Sequence, residues 1–184
     1  MLLPSEEAAQ FHSLYPSLIG FVCARVGGVD GVTNAETFRK ARVETKGQAR
    51  DLLYDNIELI SAYIEQNPEG FCGLDLGLVS DWRRFLRGRF LIERQLRKHT
   101  VFMTQDDPPR AYGVVGLNTE IPDMLPQPLP AIVEAVLLPW KGRIVCDGLL
   151  HCYNIMFGPG MRRGMKEDYR AARAGGIITS LDPD

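Results

Sequence analysis

The sequence predicts an α+β protein in which N-terminal helices pack on one face of a mostly antiparallel sheet of about five strands. Three observations predict it. Apolar residues recur at helical steps through residues 1–80, short period-2 runs between turn residues dominate from His99 onward, and no internal repeat or low-complexity tract interrupts either part. The 184 residues are 45% hydrophobic and 24% charged, as in an ordinary globular domain. Roughly 70% of the extended chain's surface is buried on folding at this length, so one core suffices without a disulfide or metal. A single domain over 1–184 is therefore the default, with a mainly helical part (1–80) and a mixed part (81–184).

Ser5 is placed to cap a short helix through Leu14. Pro16 suits the first turn of a second helix to Val26, where Gly27 and Gly28 supply a left-handed stop. Thr33 and Glu36 have capping-box spacing, which predicts a third helix over Asn34 to Glu44. Ala49, Leu53, Ile57, Ile60 and Ile64 recur at three- and four-residue steps, so one long helix runs to Asn67-Pro68. After a connection with Gly70, Gly73 and Gly77, Ser80-Asp81 reads as the N-cap of a helix through Trp82, Phe85 and Leu86. Residues 89–98 read either as its continuation or as a strand burying Phe90, Ile92 and Leu96. The strand is preferred because Gly88 disfavours a helix interior by about 1 kcal/mol relative to Ala.

Thr100 to Thr104 and Ala111 to Leu117 are predicted as antiparallel strands around a turn at Pro108-Pro109. Four prolines make Asn118 to Pro130 an extended connector with at most one helical turn, near Asp123. Val133 to Leu138 and Arg143 to Cys146 form a hairpin, followed by a strand from Leu150 to Phe157, a helix from Met161 to about Arg173, and a last strand at Ile177 to Ser180.

Composition narrows the functional classes. The N-terminus lacks a basic segment before its apolar residues, so no secretory signal is expected, and no apolar stretch approaches the roughly 20 residues of a spanning helix. The cysteines, Cys23, Cys72, Cys146 and Cys152, show no C-x-x-C spacing and are expected as reduced thiols in a cytoplasm-like compartment. A net charge of −2 excludes the overall basic field of a nucleic-acid coat protein. The charge is nonetheless uneven: residues 1–80 hold 6 Lys and Arg against 11 Asp and Glu, and residues 81–184 hold 15 against 12. The excess sits in Arg83, Arg84, Arg87, Arg89, Arg94, Arg97 and Lys98, and in Arg162, Arg163, Lys166, Arg170 and Arg173.

The run Val136-Leu137-Leu138-Pro139-Trp140-Lys141-Gly142-Arg143-Ile144-Val145-Cys146-Asp147-Gly148, with Phe157-Gly158-Pro159-Gly160-Met161-Arg162-Arg163, resembles a block in a family of uncharacterised bacterial proteins. The resemblance covers about the last hundred residues, from about Trp82. It implies a bacterial origin, and, with no activity assigned to that family, it carries over no catalytic residue.

Four constellations carry candidate chemistry. Arg87, Arg89 and Arg94, interleaved with Trp82, Phe85 and Phe90, suit phosphate neutralisation with stacking on bases; the competing reading is pairing with acidic residues of the same chain. Gly160, Arg162 and Arg163, at a strand-turn-helix junction, offer amide groups and a positive helix end to an anion. A dinucleotide site there, with Asp182 on a ribose, fails because the third glycine is one place late and no further sheet follows. Cys146, Asp147, His151 and Cys152 suggest zinc or a thiol nucleophile, but they lack paired ligand spacing, and a thiol would need His99 or His12 brought beside it. No metal and no cofactor is expected.

The function expected on these grounds is a non-enzymatic binding or accessory module for an anionic ligand or nucleic acid. One alternative is a small phosphate-handling hydrolase or transferase with Asp147 or His151 as base. Another is a homodimeric scaffold using sheet edges at Ala111 to Leu117 or Leu150 to Phe157. No membrane partner is expected.

Overall fold

The computed structural model describes residues 1–182. The protein is α+β, and its contacts divide it into two compact units: Pro4–Arg83, and the chain from Arg84 onward together with Met1–Leu3.

The first unit is helical: α1 Ser5–Val26, α2 Ala35–Lys40, α3 Val43–Asp55, α4 Leu59–Gln66 and α5 Gly73–Asp81. Helix α1 is its axis, touching each of the other four. Phe11 and Tyr15 stack on α1 with ring centroids 5.0 Å apart, and both meet the Trp82 ring edge-on at 5.4 Å. Where α1 crosses the start of α2 the side chain is reduced to Gly20, because a Cβ there would lie 2.6 Å from Asn34 Cα and from Ala35 N.

Several boundaries differ from the sequence expectation. Residues 5–26 form one helix that passes through Pro16. The capping box belongs to Asn34 and Thr37, one residue beyond the expected pair: Asn34 Oδ1 accepts from Thr37 N at 2.9 Å and Thr37 Oγ1 accepts from Asn34 N at 3.1 Å. The expected long helix is two, α3 and α4, interrupted at Asn56, whose Nδ2 donates to Leu52 O. Ser80-Asp81 ends helix α5, and the helix expected after it is reduced to one 3-10 turn, Trp82–Arg84. Helix α5 contains Gly73 and Gly77, and a side-chain bond from Gln10 Nε2 of α1 to Asp75 Oδ1, 2.6 Å, fixes its first turn.

The second unit holds β1 Leu86–Gln95, β2 Thr100–Met103, β3 Ala111–Val115, β4 Ala131–Trp140, β5 Arg143–Cys146, β6 His151–Cys152, α6 Pro159–Ala174 and β7 Ile177–Ile178. Residues 86–95 are thus a strand, as preferred, and it begins before Gly88. The pairings β1–β2, β2–β3, β3–β5, β5–β4 and β4–β1 close on themselves. The sheet is therefore a five-stranded barrel. Its order, with β3 and β5 parallel, is that of OB-type barrels.

Closure depends on β1 serving two neighbours. Leu86 to Ile92 pair with β4, and Leu91 to Gln95 pair with β2. Between these stretches Ile92 faces Phe102 and Arg94 faces Val101, so Glu93 is an inserted bulge residue that bends the strand. The β4–β5 turn, Lys141-Gly142, has positive φ at both residues (48° and 73°), the type I′ geometry that matches strand twist. The barrel interior is filled by Phe90, Ile92, Phe102, Tyr112, Val133 and Ile144, with Ile121, Leu125 and Leu129 of the proline-rich connector packed against them. Full burial of each such side chain contributes roughly 1.5–3 kcal/mol.

The expected strand from Leu150 to Phe157 shortens to β6. Asp147 Oδ1 accepts from Leu149 N at 3.0 Å, Gly148 takes φ +84°, and the chain rejoins β4 two residues out of step with β5. After Tyr153 N donates to Ile132 O the chain leaves the sheet. The other end strand, β7, runs parallel to β3. Because β3 is bonded to β2 on one side and to β5 and β7 on the other, residues 111–115 are not the free edge that the scaffold alternative requires.

Candidate anion-binding site

Gly158 caps α6 and Pro159 occupies its first turn, where a missing N–H costs nothing. Tyr169, Ala172 and Met165 of the helix pack with Leu91, Val101, Met103 and Ala111 on the outside of β1, β2 and β3. That contact fixes which side of α6 faces solvent. At about 100° per residue, Arg162, Arg163, Lys166, Arg170 and Arg173 fall within an arc of roughly 100° beside the buried face, while Glu167 and Asp168 fall outside it. All five cations are exposed.

Arg162 Nε donates to Phe157 O at 3.1 Å, which ties the helix start to the preceding loop. Among the described residues, Arg163, Lys166, Arg170 and Arg173 pair with no carboxylate. Gly160 lies in the exposed first turn of α6, and nothing stands within 4 Å of the Cβ it lacks. Arg94 reaches the helix from β1, its guanidinium 4.1 Å from the centroid of the Tyr169 ring.

The cluster at Arg83 to Lys98 is arranged differently. Arg83 Nη1 donates to Ser80 Oγ (2.5 Å) and its Nη2 to Ser61 Oγ (2.9 Å); Arg84 pairs with Asp182 at 3.0 Å. Arg89 Nη2 donates to Tyr153 OH at 3.0 Å and lies 3.8 Å from Glu134 Oε1, and Tyr153 OH also donates to Glu134. Arg94 is held by Glu93 on the bulge, which keeps its guanidinium above the ordinary value; the hydrogen bond outweighs the opposing effect of burial. Strand alternation places Arg87 and Arg89 outside the barrel and Gly88 and Phe90 inside. Arg87 and Arg89 nonetheless flank a gap of about 360 Å³ against the β2–β3 turn, where Arg110 joins them.

The candidate catalytic residues have separate partners. The Asp147 carboxylate is buried and closes its own turn, whereas His151 is exposed and meets the Tyr153 ring edge-on at 5.3 Å. All four cysteines are free thiols, and burial raises Cys152 and pushes Cys23 up to about 11, which disfavours the nucleophilic thiolate. Among the described residues no three His, Cys, Asp or Glu side chains are grouped to hold a metal ion. His99 lies flat against Gly113, where a Cβ would sit 2.8 Å from its ring.

Sequence reading named Arg162, Arg163 and the other α6 cations from the local excess of charge and from the glycine-rich turn before the helix; that they share one side of the helix shows only in the structure. Sequence reading missed Arg110, Glu134 and Tyr153. Arg110 and Tyr153 carry no local pattern, but Glu134, an acidic residue in an apolar strand, was a usable sign of a charged partner on the outer face. The chain matches no protein-family model, and neither a curated protein nor a solved structure was found to be similar to it.

Proposed function

We propose that the protein is a non-enzymatic binding module whose ligand is a phosphodiester polyanion, taken on helix α6. The observation that carries this reading is the stripe Arg162, Arg163, Lys166, Arg170 and Arg173: five cations on one side of a helix, none of them with a carboxylate partner among the described residues. Residues four apart on this stripe are separated by about 6 Å along the axis, comparable with the step between neighbouring phosphates of an extended strand. OB-type barrels commonly bind strands across the β2–β3 face. Here Tyr169 and Ala172 cover that face, and the charge lies on the covering helix instead. The bacterial origin implied by the resemblance, with free thiols fitting a cytoplasm-like setting, makes nucleic acid the abundant ligand of this class.

Fluorescence anisotropy with a labelled single-stranded oligonucleotide at 50 mM salt tests the reading. Binding is expected, and the double charge reversal Arg163→Glu/Arg170→Glu is expected to weaken it at least tenfold. Absence of binding to the unaltered chain, or equal binding by the double variant, overturns it.

A further inference from the structure

We infer that Ile155 and Met156, in the loop before α6, form an apolar platform for an unpaired base of the strand held on the α6 stripe, which makes the protein selective for single-stranded nucleic acid. The inference rests on the reading of α6 given above and names what that site recognises beyond phosphate. The loop is fixed at both ends. Tyr153 N donates to Ile132 O at 3.0 Å, and Phe157 is buried with Leu91, Val101, Met103 and Tyr169 on the outside of the sheet. Between these anchors Ile155 N turns back to Tyr153 O at 2.9 Å, and two apolar side chains are left in solvent: Met156 is 94% exposed and Ile155 37%. Folding does not account for a pair so placed, because neither side chain joins the core.

The loop borders the stripe. Arg162, its first cation, donates from Nε to Phe157 O at 3.1 Å, so the backbone next to Met156 lies against that side of the helix. Gly158 and Gly160 stand between them, and nothing lies within 4 Å of the Cβ that either lacks. The turn is therefore open to a flat ring whose phosphate meets Arg162 and Arg163 and whose face rests on Met156. A thioether makes favourable contacts with aromatic rings. In a duplex each internal base is covered on both faces by its neighbours, whereas single strands splay bases out, and single-strand recognition works through such ring contacts. Met161 is also exposed but lies about 100° round the helix from Arg162, on the flank of the buried face away from the stripe. It is a control of like chemistry outside the platform.

Anisotropy titrations of the full chain at 50 mM salt, with two labelled single strands of equal length, one carrying bases and one abasic, test the assignment. The unaltered chain is expected to bind the base-bearing strand about fivefold or more tighter than the abasic strand. Ile155→Ser/Met156→Ser, both at exposed positions, is expected to abolish that preference with an unchanged melting profile, and to leave binding of the abasic strand within about twofold. Met161→Ser is expected to keep the preference. Equal binding of the two strands by the unaltered chain, a preference that survives in Ile155→Ser/Met156→Ser, or an equal loss in Met161→Ser overturns the platform and leaves the α6 reading in place. Failure of both strands to bind overturns both readings. Co-sedimentation with vesicles of phosphatidylglycerol and phosphatidylcholine covers the other surface that suits an apolar pair beside cations. Vesicle binding that the double variant abolishes, without a preference between the strands, overturns the platform in favour of a lipid surface.

Discussion

The Arg39 guanidinium donates to the carbonyl of His12 at 3.1 Å. This is the acceptor that Pro16, four residues on, cannot satisfy, because it has no N–H. The pair explains how α1 runs unbroken through a proline: a side chain from α2 supplies the missing donor. Arg39→Ala is therefore expected to lower stability by about 1 kcal/mol, the net worth of such a bond. The cost should largely vanish in a Pro16→Ala background, where the helix regains its own donor. Urea unfolding of the four proteins of this cycle measures the coupling.

Gly20 sets the distance between α1 and α2. A methyl group there would collide with the backbone of Asn34 and Ala35, which no rotamer change relieves. Gly20→Ala is expected to destabilise the helical unit by about 2 kcal/mol despite alanine's better helix propensity, as overpacking does. Thermal unfolding followed at 222 nm checks the sign, which propensity alone would reverse.

Two histidines make stability depend on pH. His99 and His12 are both held below the ordinary value of 6.5, by desolvation first and then by a neighbouring cation, Lys98 and Arg39 respectively; His12 keeps an exposed surface, so the half-buried His99 carries more of the effect. The unfolded chain then binds more protons than the folded one as pH falls through 6.5. The stabilisation is complete above 6.5 and is lost progressively below it, down to the folded-state values. The urea midpoint is expected to drop between pH 7.5 and pH 5, and His12→Gln/His99→Gln to flatten that part of the profile.

Sequence pattern located most elements where local chemistry decides them. The β4–β5 hairpin follows from Lys141-Gly142 between apolar runs, and α6 follows the Gly158-Pro159-Gly160 turn that closes the preceding segment. Pattern failed where a single side-chain bond, local or from a distant residue, decides. The rhythm of Ala49, Leu53, Ile57 and Ile60 continues unbroken across Asn56, so the α3–α4 interruption is invisible until Asn56 is seen bonding the Leu52 carbonyl. Pro16 is tolerated only because Arg39 arrives from another helix, and α5 forms across Gly73 and Gly77 with Gln10 holding its first turn. Closure of the sheet into a barrel is likewise unreadable, since nothing local shows that Glu93 is the bulge that lets β1 serve β2 and β4.

The same distinction separates the two cationic segments, and salt titration exposes it. Each phosphate neutralised on a single strand contributes about 0.7 to the slope of log affinity against log salt. A cation that already faces a carboxylate adds little, because binding must break the existing pair. Arg94, which lies on Glu93 and against Tyr169, is such a group; Arg170, one residue further along α6 from Tyr169, is not. Arg170→Ala is expected to lower the slope for a single-stranded oligonucleotide by about 0.7, whereas Arg94→Ala leaves it within about 0.2. Arg94→Ala should instead reduce stability, because Tyr169 loses the guanidinium that covers it and Glu93 its partner. Anisotropy titrations between 50 and 200 mM salt, paired with melting curves, separate the two effects. Equal slope changes in both variants would mean that the pairing with Glu93 does not withhold Arg94 from the ligand.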